Sequence, residues 1–110
     1  MSAITTHVLD TSRGQPAAGV PVSIERQTAG GAWTQLGKGV TNSEGRLGNL
    51  LQEDDALTEG VYRLIFDTRS YSAECLYPEV AITFEVRDAG RHYHLPLLLS
   101  PYGYTTYRGS

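Results

Sequence analysis

The stretch that decides the fold is His92–Ser110, HYHLPLLLSPYGYTTYRGS, at the end of the sequence. Successive side chains of a β-strand point to opposite faces of its sheet, so a strand here has two distinct faces. The wholly apolar face, suited to a core, carries Tyr93, Leu95, Leu97 and Leu99. The other face carries His92, His94, Pro96 and Leu98. Because a core does not favour imidazoles, this second face is where we expect a site.

Segments rich in β-branched and aromatic residues recur along the chain, separated by turns that contain Gly, Pro or Asn. We predict eight strands, at residues 4–10, 20–27, 33–41, 46–50, 61–67, 80–86, 91–99 and 102–107, and one short helix at residues 68–76. This spacing of short strands is typical of a β-sandwich. We therefore expect an all-β fold of two sheets, with residues 1–110 forming a single domain.

Composition excludes several classes of protein. The chain has 110 residues and a formal net charge of −3, which argues against nucleic-acid partners and against a polybasic membrane contact. No apolar run approaches the roughly 20 residues of a membrane-spanning helix. The single cysteine, Cys75, rules out an internal disulfide and fits a reducing compartment. Since neither a signal peptide nor a peroxisomal C-terminal signal is visible, we expect a cytoplasmic protein.

Three stretches of the sequence together resemble one family. They are Thr6–Asp10 with Arg13-Gly14 and Pro16-Ala17 after it, Thr41–Arg46 with Gly48, and His92–Ser110. In combination they resemble the 5-hydroxyisourate hydrolases, the transthyretin-related enzymes of urate breakdown. The final tetrapeptide, Tyr107-Arg108-Gly109-Ser110, is the most specific part of the resemblance. It separates the hydrolases from transthyretin itself, which shares Leu-Ser-Pro-Tyr but continues into a tail.

The resemblance implies a prealbumin-like (transthyretin-like) sandwich that assembles as a homotetramer, a dimer of dimers, with active sites in the channel between the dimers. It implies hydrolysis of 5-hydroxyisourate to 2-oxo-4-hydroxy-4-carboxy-5-ureidoimidazoline, without a cofactor or a metal. The implied catalytic set is His7, Arg46 and His94. The implied substrate-binding set is Tyr107, Arg108, Gly109 and Ser110.

These residue types suit the chemistry of lactam opening. Imidazole titrates near neutral pH, so one histidine can take a proton from water while a second gives one. Arginine offers a fixed, charged fork for ring carbonyls and developing negative charge. We assign His94 as the base and His7 as its partner, an assignment that rests only on their placing and is open to reversal. His92 is expected at the periphery; a zinc site that includes it would lack ligands beyond the histidines.

Two other functions stay open. A binding protein of transthyretin type would carry a small ligand in the same channel without catalysis, but would line it with aliphatic groups. A plain structural sandwich would explain the front half of the chain but not its terminal segment.

One local conflict also stays open, because Pro96 lies mid-strand and cannot donate a ladder hydrogen bond. Either the strand has a bulge there, or one N–H position needs no partner.

Overall fold

The computed structural model describes residues 3–51 and 57–109. Within these ranges nine strands and one helix follow one another along the chain. They are β1 (Ile4–Asp10), β2 (Gln15–Pro16), β3 (Pro21–Gln27), β4 (Trp33–Val40), β5 (Arg46–Leu47), β6 (Gly60–Phe66), α1 (Thr68–Tyr71), β7 (Val80–Val86), β8 (Tyr93–Ser100) and β9 (Gly103–Thr106).

The strands form two sheets, as expected. One sheet has the order β2-β1-β8-β9, with β5 also paired to β1, and the other has the order β4-β3-β6-β7. β1 and β8 run parallel, in continuous register from Ile4 opposite Tyr93 to Asp10 opposite Leu99. This pairing places the first strand of the chain beside its last long strand, and so brings together side chains that are distant in sequence.

The core lies between the two sheets and confirms the predicted alternation of β8. Tyr93, Leu95, Leu97 and Leu99 are all buried. The opposite face of β8 is more open, and His94 on it is half-buried. The same core cluster takes side chains from both sheets, among them Val8, Ile24, Leu64 and Phe66, each fully buried. One face of β8 therefore anchors the sandwich, which leaves the other for a site.

Three local predictions need correction. The helix ends at Tyr71 rather than Leu76, because Ser72 is extended (φ −148°, ψ 117°) and its N–H bonds to the carbonyl of Thr68. Cys75 therefore lies beyond the helix, where it is buried and free. β5 has only two residues, since the chain turns inward after Leu47 and buries Leu50 in the core.

The short strand β2 was not predicted. The turn residues of this segment, Gly14 and Pro16, mark a break in sequence, yet Gln15 and Pro16 pair with the end of β1.

In the parts of the chain that are described, no helix has the length and apolar character needed to cross a bilayer.

Pro96 is accommodated without a bulge against β1. The β1–β8 register continues through His7 opposite Pro96. On the other side of β8, pairing with β9 stops at Leu97 opposite Thr106 and resumes as a bridge between His94 and Gly109 in the same register. Proline has no N–H to donate, and the Thr106 hydroxyl instead donates to the Pro96 carbonyl oxygen over 2.7 Å. The second of the two alternatives for Pro96 is therefore the correct one.

Candidate functional site

Strand register places the predicted catalytic side chains on one face of one sheet. Thr5 lies opposite His94 in the β1–β8 pair, and His7 lies opposite Arg46 in the β1–β5 pair. Thr5 and His7 are two residues apart on β1 and so share a face, about 6.6 Å apart along the strand. The structure thus brings His7, Arg46 and His94 to the same outer surface of the β1–β8 sheet.

Thr5 joins two imidazoles. Its Oγ1 lies 2.8 Å from Nδ1 of His94 and 3.0 Å from Nε2 of His92. The two rings are nearly parallel, with an interplanar angle of 23° and centroids 6.4 Å apart. Thr5 itself is only 8% exposed. His92 was expected at the periphery, and this is corrected: it is exposed, but its ring folds back onto Thr5 beside His94.

His7 is held from the other side. Its Nε2 lies 2.8 Å from the carbonyl oxygen of Glu44. A carbonyl oxygen only accepts hydrogen bonds, so Nε2 of His7 carries the hydrogen. In the neutral ring, Nδ1 is then the nitrogen with a free lone pair. The loop between β4 and β5 therefore fixes the tautomer of His7 as well as its orientation.

The same loop presents Arg46. The side-chain oxygen of Asn42 accepts hydrogen bonds from the N–H groups of Glu44 and Arg46, at 2.9 and 3.0 Å. Gly45 adopts φ +76°, and a β-carbon there would lie 2.3 Å from the carbonyl oxygen of Val8. Only glycine fits this left-handed, closely packed position without strain. The predicted Asn-Ser-Glu-Gly turn is thus the device that sets Arg46 against β1.

A cavity of about 290 Å³ opens on this face. Its lining consists of Thr5, Thr6, Arg46, Leu47, Gly48, His92 and His94. His7 lies next to it as the cross-strand partner of Arg46. A larger hollow of about 500 Å³ lies on the other sheet near Lys38 and Asp67. We place the chemistry in the smaller cavity, because imidazoles and a guanidinium converge there.

The electrostatic setting keeps His94 neutral. Burial lowers the pKa of His94 below its ordinary value of 6.5, and positive charge on His92, Arg46 and His7 acts in the same direction. Among the described residues, Nδ1 of His94 has a partner in Thr5 and Nε2 has none. A neutral imidazole with an unengaged nitrogen is the form that a general base requires.

The terminal segment contributes unequally to this site. The N–H of Gly109 donates to the carbonyl oxygen of His94 over 2.7 Å, and Tyr107, 53% exposed, precedes it. Arg108 lies on the opposite face of the sheet, where its guanidinium carbon is 4.3 Å from the centroid of the Tyr93 ring. Within one protomer, Gly109 therefore reaches the cluster and Arg108 does not. Ser110 lies outside the described residues.

Sequence reasoning missed Thr5. A threonine on a strand is ordinary. The signal in the sequence was its position two residues before His7, which places both side chains on the same face of a strand that pairs with other strands. In residues 3–51 and 57–109 there is no group of three or more His, Cys, Asp or Glu that could hold a metal ion.

Comparison with known proteins adds an independent line of information. Residues 4–109 match the HIUase/Transthyretin family. The 5-hydroxyisourate hydrolase of Deinococcus radiodurans is 44% identical, over 97% of this chain and 95% of its own length. The 5-hydroxyisourate hydrolase of Salmonella dublin is 43% identical, over 97% and 80%.

A longer relative and a solved structure show the same similarity. The uric acid degradation bifunctional protein TTL of Arabidopsis thaliana is 46% identical over 97% of this chain, which spans 37% of that protein's length. Sea bream transthyretin in complex with thyroxine superposes with a TM-score of 0.89 at 36% identity, covering 97% of this chain and 94% of its own.

Proposed function

Because this chain belongs to the HIUase/Transthyretin family, we propose that it is a hydrolase that opens 5-hydroxyisourate to 2-oxo-4-hydroxy-4-carboxy-5-ureidoimidazoline in urate breakdown. One observation carries the proposal: His92, His94 and Arg46 line a single cavity, with His7 beside Arg46. The hydrolases of Deinococcus and Salmonella share 44% and 43% of their aligned residues with this chain. The reaction is attack of water on a lactam carbonyl of the substrate.

His94 activates the water. Its pKa is lowered by burial and by neighbouring positive charge, so the ring is neutral at pH 7. Its Nδ1 is engaged by Thr5, which leaves Nε2 as the nitrogen that faces substrate and water. Proton transfer of this kind typically accelerates a reaction about 10²- to 10⁴-fold.

Arg46 binds the substrate and stabilises the oxyanion. The side chain is exposed at the cavity, and its guanidinium stays charged at every working pH. A planar fork of donors suits a flat ring that carries several carbonyl groups. The same charge stabilises the negative oxygen that forms when water adds to the carbonyl carbon.

His7 is the partner acid, with a restriction that the sequence did not reveal. Since Nε2–H of His7 is committed to the Glu44 carbonyl, a proton for the departing nitrogen has to come from Nδ1. His7 can therefore act as an acid only from its doubly protonated, cationic form.

A carrier of transthyretin type is the second candidate. The likeness to sea bream transthyretin, crystallised with thyroxine, favours it. The two functions differ in the chemistry of the cavity wall. A carrier for an apolar aromatic ligand gains affinity from aliphatic lining, whereas this cavity presents two imidazoles and a guanidinium. The polar lining supports the hydrolase.

The functional unit in this proposal is a homotetramer, a dimer of dimers. The sites form where the outer faces of two β1–β8 sheets meet, so that a second protomer closes each cavity. Tyr104 and Tyr107, 43% and 53% exposed, support a contact near the end of β9. Molar mass from light scattering tests the assembly: a mass four times that of the chain is expected, and a monomer contradicts it. Residence in the cytoplasm stays a prediction.

A direct assay tests the activity. Urate oxidase generates 5-hydroxyisourate from urate, and its ultraviolet decay is followed with and without the protein. We expect decay well above the spontaneous rate, and its loss in His94→Gln and Arg46→Gln. Decay at the spontaneous rate with correctly folded wild-type protein contradicts the hydrolase and leaves the carrier, which binding of an aromatic ligand would then identify.

A further inference from the structure

Among the residues that the structure describes, the hydroxyl of Thr5 is the one polar group that contacts both His92 and His94, at 3.0 and 2.8 Å. We propose that Thr5 is a positioning residue that relays protons between these histidines, so that His92 decides which nitrogen of His94 carries the hydrogen. The inference rests on the proposed hydrolase function for its catalytic meaning, but the coupling itself is a property of the three side chains.

The coupling between the two histidines follows from the number of hydrogens that the Thr5 hydroxyl can donate. A threonine hydroxyl donates one hydrogen and accepts others. When His92 is neutral, the chain can run from Nδ1–H of His94 to Thr5, and from the Thr5 hydroxyl to Nε2 of His92. When His92 is protonated, its Nε2–H has to donate to Thr5, so the Thr5 hydrogen turns to Nδ1 of His94. The hydrogen of neutral His94 then sits on Nε2.

The two arrangements have opposite chemistry at the cavity. With the hydrogen on Nδ1, the free nitrogen of His94 is Nε2, which accepts a proton from water. With the hydrogen on Nε2, the same atom can only donate. Protonation of His92 therefore converts His94 from a base into an acid at one and the same nitrogen.

The proton transfers of the relay balance within one catalytic cycle. Water gives a proton to Nε2 of His94 while its oxygen bonds to the lactam carbon. The Nδ1–H bond of His94 breaks and its proton passes to the Thr5 oxygen, while the original Thr5 hydrogen passes to Nε2 of His92. The result is neutral His94 with Nε2–H and cationic His92, with no redox change. When His7 is neutral and has no proton at Nδ1 to give, Nε2–H of His94 can instead protonate the leaving nitrogen, and His92 returns its proton through Thr5.

The surrounding charges favour moving the proton away from His94. Arg46 on β5 and His7 on β1 face it, and both disfavour its cationic form, as does its partial burial. His92 is exposed, so water can solvate its charge. Arg108 acts on His92 only through the backbone, since its Nη2 donates to the His92 carbonyl oxygen over 3.4 Å. An extra proton is therefore disfavoured on His94, and the Thr5 hydroxyl offers it a path to His92.

Nitrogen-15 NMR of the histidine rings in the full-length protein tests the coupling without substrate. In the wild type we expect the pyrrole-like and pyridine-like signals of His94 to exchange between Nδ1 and Nε2 as His92 titrates. Thr5→Val, which keeps the shape of the side chain and removes the hydroxyl, should abolish the exchange, and Thr5→Ser should restore it. His92→Gln, an exposed change that does not burden folding, should also abolish it.

Kinetics give the second readout. We expect Thr5→Val to lower kcat about 10- to 100-fold with a smaller change in KM, and Thr5→Ser to recover most of it. This loss is at most the lower limit for direct proton transfer, because Thr5 acts through His94. Thr11→Val is the matched control, because it removes a hydroxyl that donates to the Leu99 carbonyl oxygen at the far end of the same strand pair.

Each outcome decides one point. A His94 tautomer that is constant through the titration of His92 overturns the relay, as does a Thr5→Val or His92→Gln protein whose His94 signals match the wild type. If the wild type couples the two rings but does not hydrolyse 5-hydroxyisourate, the proposed function fails while the coupling stands.

Discussion

The N–H of Gly109 donates to the carbonyl oxygen of His94 over 2.7 Å, and a β-carbon on Gly109 would lie 2.7 Å from Cδ2 of the His94 ring. The terminal segment thus packs its backbone directly against the edge of the imidazole that carries Nε2. Real β-carbons do not approach other atoms this closely. The His94 ring can therefore lie where it does only because residue 109 has no side chain. We assign Gly109 to the positioning of His94.

Gly109→Ala should therefore displace the His94 ring. Since a shift of about 1 Å at a reacting group can cost about 10²-fold in rate, we expect kcat to fall by this order while the fold persists. The decay assay measures the rate, and thermal unfolding checks the fold.

Gly103→Ala is the matched control in the same segment. In the described parts of the chain, its added β-carbon would meet only the Ser100 hydroxyl, at an ordinary contact distance of 3.6 Å. We expect near wild-type activity. Equal losses in the two variants would contradict a specific role for Gly109.

The activity should depend on both the charge and the planar shape of the Arg46 side chain. Arg46→Gln removes the charge, and we expect kcat/KM to fall about 10²- to 10³-fold, as for the loss of an oxyanion donor. Arg46→Lys keeps the charge without the planar fork and should fall between this variant and the wild type.

The control for Arg46 is Arg69→Gln on α1, which makes the same change of net charge on a different part of the fold. It should leave kcat/KM unaltered. If Arg46→Gln behaved in the same way, the guanidinium would have no part in the reaction.

The alternation in β8 made half of the site predictable. Tyr93 and Leu95 had to face the core, so His94 had to face away, and no tertiary information was needed. The strand bounds at Ile4–Asp10 and Val80–Val86 followed from β-branched runs for the same local reason. The roles of His7 and Arg46 came from resemblance, because neither residue stands out alone.

The rest depended on non-local pairing. Thr5 and His94 are 89 residues apart, and only the parallel pairing of β1 with β8 makes them neighbours. The exposed position of His92 just before β8 gave no sign that its ring would return to Thr5. The helix α1 ends early at Tyr71 because Ser72 is already extended, and the residues after it have no apolar periodicity to carry the helix further.

The protonation of His94 should depend on its charged neighbours. Its pKa lies below 6.5 because of burial and of positive charge on His92, Arg46 and His7, so the ring takes up a proton only as pH falls through the lowered value. Arg46→Gln removes one of these charges and should raise the pKa. Proton NMR titration of the His94 ring measures it; an unshifted or lowered value in the variant would contradict the electrostatic account.

The same lowered pKa affects stability, with the sign set by linkage. Between the folded and unfolded pKa values of His94 the unfolded chain binds more protons, so unfolding becomes easier as pH falls below about 6.5. His94→Gln should remove this contribution, which urea unfolding at several pH values would detect as a flatter dependence.

Asp10 should dominate stability at acid pH. Its Oδ1 accepts from the Ser12 hydroxyl and from the N–H groups of Ser12 and Arg13, and its Oδ2 accepts from the Tyr71 hydroxyl over 2.6 Å. Burial alone would raise the pKa of Asp10, but these bonds outweigh it and the pKa lies below 3.8. Its contribution is therefore complete above about pH 4 and is lost as pH falls through the folded pKa.

Asp10→Ala leaves the Tyr71 hydroxyl and two backbone N–H groups without their acceptor, so we expect a loss of about 1–3 kcal/mol in the free energy of unfolding. Asp88→Ala is the control, because that carboxylate accepts from Gly90 in an exposed turn; its loss should be clearly smaller. Urea unfolding at pH 7 and pH 3 measures the loss in free energy of unfolding for each variant. The deficit of Asp10→Ala should narrow at the lower pH, and an unchanged deficit would assign it to lost packing instead of the ionised carboxylate.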